Sequence, residues 1–215
     1  MDNSIWFPYE GVDEKYWKDV TIDLINKFPI SMDVIKEIVL DSWNEIFTIT
    51  NSSHDFAIGK TIFPKPQMLG FFLEEIITQK IHRLDPKIWE PDPTGYSKDL
   101  VNKVEPEFSV EIKTSSSPKN IYGNRSYGQR GSSAKKLKDG YYLAVNFEQF
   151  DKINPLLKRP EIRLIRFGYL NYTDWSSQAS STGQQARIPA HIESVKLLPI
   201  YRKNDKKHYS FVHLL

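Results

Sequence analysis

Cysteine is absent from all 215 residues. That excludes a disulfide framework, zinc held by thiolates and any thiol nucleophile. No apolar run approaches the roughly 18 residues that would cross a bilayer, and MDNSIWFPYEG at the N-terminus lacks the basic-then-apolar order of a secretory signal. The expectation is a soluble, cytoplasmic protein. No phosphate-cradling G-x-x-x-x-G-K-[ST] loop and no dinucleotide fingerprint occurs, so nucleotide-driven chemistry has no support. The G-x-S-x-G elbow of a serine hydrolase is missing too. The histidines (His54, His82, His191, His208, His213) have no zinc-ligand spacing.

A further absence is local. Between Glu111 and Asp139 no acidic residue occurs, while Lys113, Lys119, Arg125, Arg130, Lys135, Lys136 and Lys138 are all basic. A net charge of +2 over the whole chain conceals this block. Set among Gly, Ser, Asn and Tyr, it suits a phosphate-backbone surface as well as it suits a solvated basic loop.

With 40% hydrophobic and 13% aromatic residues, the chain can bury one sizeable core. A single domain over 1–215 is expected, with a helical part at 1–60. Residues 13–28 place Trp17, Val20, Leu24 and Phe28 at helical spacing, and Pro29 stops the pattern. A second helix is predicted over 31–48, with Ser31 and Asp33 as candidate caps, and a third over 66–84. After residue 90 the period changes to alternation. WEPDPTGYS is a turn cluster; KDLVNKV and FSVEIKTS are two short strands; GYYLAVNF (140–147), EIRLIRFGYL (161–170) and KLLPIYR are further strand candidates. Helices followed by a strand-rich centre predict an α/β fold, a mixed sheet flanked by helices.

In FSVEIKTS, alternation puts Phe108, Val110 and Ile112 on one face and Ser109, Glu111 and Lys113 on the other, a face expected to be wet. Asp99 opens the preceding strand, at a distance that lets a hairpin bring its carboxylate beside Glu111. Two close carboxylates stay ionised together most easily around a divalent cation, and Mg²⁺ prefers such oxygen ligands while keeping several waters. A metal-acidified water can attack a phosphodiester, and a nearby lysine can orient that water or stabilise the phosphorane charge. Asp99, Glu111 and Lys113 are therefore a candidate set for Mg²⁺-dependent hydrolysis of nucleic acid.

Asp99 followed by Glu111-Ile112-Lys113 on an apolar strand resembles the PD-(D/E)XK nuclease superfamily, which includes most type II restriction endonucleases. The family's usual Pro before the first aspartate is here Lys98; Pro91-Asp92 fits the letters but lies in the turn cluster, and strand position favours Asp99. The resemblance implies Asp99, Glu111 and the Ile112 carbonyl as metal ligands. It also implies a glutamate from the preceding helix, for which Glu74 is preferred over Glu75 because it lies nearer the stripe of Leu69, Leu73, Ile76 and Ile77.

Two stretches stand out as candidate recognition loops. KNIYGNRSYGQRGSSAKK supplies Asn120, Asn124, Arg125, Gln129 and Arg130 for base edges, Lys119, Lys135 and Lys136 for phosphates, and Tyr122 and Tyr127 for packing on sugars. GYLNYTDWSSQASSTGQQARIPA adds Gln184, Gln185 and Arg187, or is a surface loop anchored by Trp175. Together with SVEIKTSSS, these stretches look like those of ScaI-type restriction endonucleases. That resemblance implies a Mg²⁺-dependent homodimer acting on double-stranded DNA at a short palindrome, with the helical part at 1–60 as a candidate for dimerisation or DNA contact. A structure-specific or repair nuclease of the same fold is the alternative enzyme, and a non-catalytic DNA-binding protein is the alternative class.

Overall fold

The computed structural model describes residues 7–51, 55–128, 138–177 and 185–204. A short 3-10 turn, Glu14–Tyr16, leads into α1 (Trp17–Lys27), which ends just before Pro29. Ser31 caps α2 (Met32–Ile46), its hydroxyl accepting the Val34 N–H at 3.4 Å. The paired β1 (Thr50–Asn51) and β2 (Phe56–Ala57) precede α3 (Pro66–Leu84), whose first residue is a proline that needs no intrahelical donor there. Then come β3 (Trp89–Pro91), β4 (Leu100–Asn102), β5 (Val110–Ser115), β6 (Tyr122–Asn124), β7 (Gly140–Phe147), β8 (Ile162–Leu170), β9 (Ser176–Ser177), β10 (Gln185–Arg187), α4 (Ala190–Lys196) and β11 (Leu197–Arg202).

Six of these strands form a mixed sheet in the order β11-β8-β7-β5-β4-β3. β5 and β7 run parallel, and the other neighbours are antiparallel. The predicted mixed sheet flanked by helices is present. The parallel pair needs a long crossover, and the segment from 116 to 139 supplies it. β6, β10 and β9 form a second, three-stranded sheet.

The large sheet is covered on both faces. Val110, Ile112, Tyr141, Leu143, Val145 and Phe167 pack with Leu24, Ile35, Trp43, Leu69, Leu73 and Ile77 of the helices. On the opposite face Tyr142, Ala144 and Leu170 pack with Tyr127, Trp175, Ala186, Ile188 and Ile192 around the small sheet and α4. Every residue of β7 is accordingly buried, which is why GYYLAVNF, Asn146 aside, is apolar on both faces instead of alternating.

Several elements depart from the sequence pattern. Phe108 lies in a 3-10 turn, Pro106–Phe108, and not in β5. β3 occupies the start of the predicted turn cluster, where it pairs with β4 despite Pro91, an edge position that tolerates proline. α4 is short and was not apparent from the sequence.

Candidate active site

The hairpin that carries Asp99 and Glu111 opens like a fork. β4 and β5 pair through Leu100 opposite Val110, and beyond that point the strands separate. Asp99 stands at the branch, and its Oδ2 accepts the Ile112 N–H at 2.7 Å, a ladder bond that a neighbouring strand would otherwise make. The Asp99 carbonyl in turn accepts the Asp92 N–H at 3.1 Å, closing the 92–99 turn. Asp92 is used within that turn: its Oδ1 accepts the Thr94 N–H at 2.8 Å and its Oδ2 the Ser97 N–H at 3.2 Å. The two candidate aspartates thus have different work, one beside Glu111 and one capping a turn.

Glu111 is only 1% exposed. The face of β5 expected to be wet is covered by the second apolar layer, because Glu111 and Lys113 sit opposite Tyr142 and Ala144 of β7, whose side chains point into that layer. An ionised carboxylate at such depth costs several kcal/mol unless it is paired. Two donors meet this cost. Lys113 Nζ is 2.5 Å from Glu111 Oε1, and the Tyr127 hydroxyl donates to the same oxygen. Burial alone would lower the Lys113 pKa, but the charges of Glu111, Asp99 and Glu74 outweigh it and raise it, so the ammonium form is held. Burial first and then the charge of Glu111 push the Tyr127 phenol far above its usual range, so it stays a donor.

Glu74 reaches the site because of a glycine one helical turn earlier. Gly70 of α3 lies against Thr114 of β5, so closely that a Cβ would overlap the threonine hydroxyl. Helix and strand therefore approach tightly, and residue 74, on the same face of the helix, is brought beside the fork. Glu74, Asp99, Glu111 and Lys113 line one cavity of about 330 Å³, together with Tyr122, Asn124, Tyr127 and Lys138. Glu75 is exposed and does not line it.

The small sheet forms another wall. In its register Asn124 faces Gln185 and Tyr122 faces Arg187, all exposed, while the alternate residues Gly123 and Ala186 are buried. One polar face thus gathers Tyr122, Asn124, Gln185 and Arg187, and Tyr122 and Asn124 also border the cavity. Lys119 and Asn120 are exposed on the loop after β5, and Arg125 is half-buried in the 3-10 turn Arg125–Gly128. Tyr127, expected on sugars, is instead an interior side chain packed on Trp175 with ring centroids 4.8 Å apart. Gln129, Arg130, Lys135, Lys136 and Gln184 lie outside the described residues.

Among the described residues no three or more His, Cys, Asp or Glu side chains gather into a metal-type cluster. Asp99, Glu111 and the Ile112 carbonyl are hard oxygens that could hold a small divalent cation keeping several waters. Lys113 Nζ contacts both Glu111 Oε1 and, at 3.4 Å, the Ile112 carbonyl, so positive charge is favoured at this pair of oxygens. Lys138 was missed in the sequence as a site group, and Tyr127, expected on sugars, was not expected to bond Glu111. Lys138 was one member of a charge run, and the Tyr127–Glu111 bond joins residues 16 apart through a turn that has no periodic signature.

The ScaI restriction endonuclease model matches residues 7–201. The chain is also 43% identical over 195 residues, 90% of its own length and 84% of the relative's, to the type II restriction enzyme ScaI of Streptomyces caespitosus. The match spans the fork, the helix that carries Glu74 and the strand of the small sheet that borders the cavity. The chain belongs to the ScaI restriction endonuclease family.

Proposed function

We propose that Asp99, Glu111 and Lys113, with Glu74, are the catalytic set of a type II site-specific deoxyribonuclease that hydrolyses both strands of double-stranded DNA. The observation that carries this reading is convergence: residues from α3, the end of the 92–99 turn and β5 line one cavity beside the polar face of the small sheet. Asp99, Glu111 and the Ile112 carbonyl would hold Mg²⁺. Bound there, the ion supplies an acidified water and neutralises charge at the scissile phosphate.

The protein's own groups do the rest. Asp99 is held by the Ile112 N–H, so its carboxylate is already oriented toward Glu111. Lys113, kept protonated by three carboxylates, orients the attacking water and stabilises the charge that develops on the phosphorane oxygens. Glu74 adds a third carboxylate across the cavity. Asn124 and Arg187 on the small sheet, with Lys119, Asn120 and Arg125, contact the DNA, joined by Gln129, Arg130, Lys135, Lys136 and Gln184 from beyond the described residues. Tyr127 serves the site from inside. Residues 1–215 act as one nuclease domain, working in the cytoplasm as a homodimer whose two-fold axis matches that of a palindromic site. Among the described residues no helix is long and apolar enough to cross a membrane.

Digestion of a sequenced plasmid with Mg²⁺ tests the reading. The wild-type protein is expected to give discrete bands, and Glu111→Ala and Lys113→Ala each to lose at least about 100-fold in cleavage rate while binding the same site in Ca²⁺. Unchanged cleavage by both variants refutes the assignment.

A further inference from the structure

We propose that Tyr127 is a positioning residue: its hydroxyl fixes the Glu111 carboxylate and ties it to the small sheet whose polar face meets the DNA. The inference rests on the catalytic assignment above. Its basis is a chain of contacts. The Tyr127 hydroxyl and the Lys113 ammonium converge on one oxygen, Glu111 Oε1, so the carboxylate is gripped from two sides and its rotation is fixed. The Tyr127 ring is in turn fixed. A Cβ at Gly123 would meet it at 2.8 Å, so β6 lies directly on the ring, and Trp175 packs against it. The ammonium groups of Lys113 and Lys138 lie 5.0 Å and 5.2 Å from its centroid.

Tyr127 follows Tyr122 and Asn124 of β6 by three to five positions, so its hydroxyl links the strand that carries them to Glu111. A shift of the small sheet on DNA therefore reaches the carboxylate through a single phenol. The role is that of an outer partner that orients a metal ligand. Removing such a partner characteristically weakens metal affinity by about 10–100-fold.

The test uses Mn²⁺ alone, titrated into the DNA-free full-length protein and followed by electron paramagnetic resonance. Tyr127→Phe removes only the hydroxyl and keeps the ring on Gly123 and Trp175. Its Mn²⁺ affinity is expected to fall at least about tenfold, and kcat on cognate DNA to fall in step, with KM and DNA affinity in Ca²⁺ unchanged and the thermal midpoint lowered only as far as one lost buried hydrogen bond explains. Wild-type Mn²⁺ affinity in Tyr127→Phe overturns the proposal. A fall in DNA affinity in Ca²⁺ alongside Mn²⁺ affinity overturns it as well, by making the hydroxyl structural. Glu111→Ala separates this proposal from the one beneath it: if Mn²⁺ binding survives that change, the catalytic assignment fails, whereas loss in Glu111→Ala with none in Tyr127→Phe refutes only the role of Tyr127.

Discussion

Gly70 of α3 and Thr114 of β5 touch so closely that no side chain fits between them. Glu74 comes one turn later on the same face and lines the cavity with Asp99 and Glu111. The glycine is therefore a spacing device for the carboxylate proposed to complete the catalytic set. Glycine inside a helix costs roughly 0.5–1 kcal/mol relative to alanine, and here close approach offsets that cost.

Gly70→Ala is accordingly expected to destabilise the protein, although alanine is the better helix former. Overpacking of this kind costs about 1–3 kcal/mol. Urea unfolding would measure it, and cleavage should fall further than the lost stability explains, because α3 carries Glu74 away from the fork. A stabilised variant with full activity would show that the helix–strand spacing does not matter.

The two aspartates give the clearest contrast. Asp99→Asn keeps the size of the side chain and an oxygen to accept the Ile112 N–H, but removes the negative charge beside Glu111. Cleavage should drop at least about 100-fold with little change in the thermal midpoint. Asp92→Ala removes the acceptor of the Thr94 and Ser97 N–H groups, which should cost about 1 kcal/mol of stability and leave cleavage near wild type. The reverse pattern, loss of cleavage with Asp92→Ala alone, would exchange their roles.

That contrast also marks what was legible in the sequence. Helical spacing placed α2 and α3, and long apolar runs placed β7 and β8, within a residue or two. The fork was legible as Asp99 and Glu111-Ile112-Lys113, since hairpin distance and strand alternation are local. The burial of Glu111 was not. It depends on β6, β9 and β10, strands of two or three residues, closing over the far face of the sheet, and such strands carry no period of their own. The same applies to Tyr127, which looked like a loop tyrosine until the small sheet formed around it. Gly123 was the local hint, a residue with no side chain where another ring must pass.

Away from the cavity, Glu148 ties β7 to the end of β11. Its Oε1 is 2.7 Å from Lys203 Nζ and its Oε2 3.2 Å from Lys158 Nζ. Burial pushes the Glu148 pKa up, but the hydrogen bonds and charges of the two lysines outweigh it and the net shift is down. A carboxylate with a folded pKa below its unfolded value adds stability that is present above the unfolded value and is lost as pH falls through the folded one. Glu148→Gln should therefore lower stability at pH 7 by less than about 1 kcal/mol, with screening by salt, and the difference should close below about pH 4. A gap that persists at pH 3 in urea melts would assign the loss to packing.

Lys138 and Arg125 separate the two ways a basic group can serve DNA. Lys138 lines the cavity with its ammonium over Tyr127, and burial lowers its pKa. A lone ammonium there is suited to a phosphate. Lys138→Ala should weaken binding in Ca²⁺ equally on cognate and noncognate DNA and reduce the slope of log affinity against log salt by about 0.9. Arg125 is different, because its backbone carbonyl accepts the Ser177 hydroxyl at 3.0 Å, which fastens the 3-10 turn to β9 and presents the guanidinium from a fixed backbone. A fixed guanidinium can make the paired hydrogen bonds that distinguish a base edge. Arg125→Ala should cost about 1–3 kcal/mol on the cognate site and much less on other DNA. Equal losses on both DNAs, with a reduced salt slope, would make Arg125 a second phosphate clamp and leave base reading to Asn124 and Arg187.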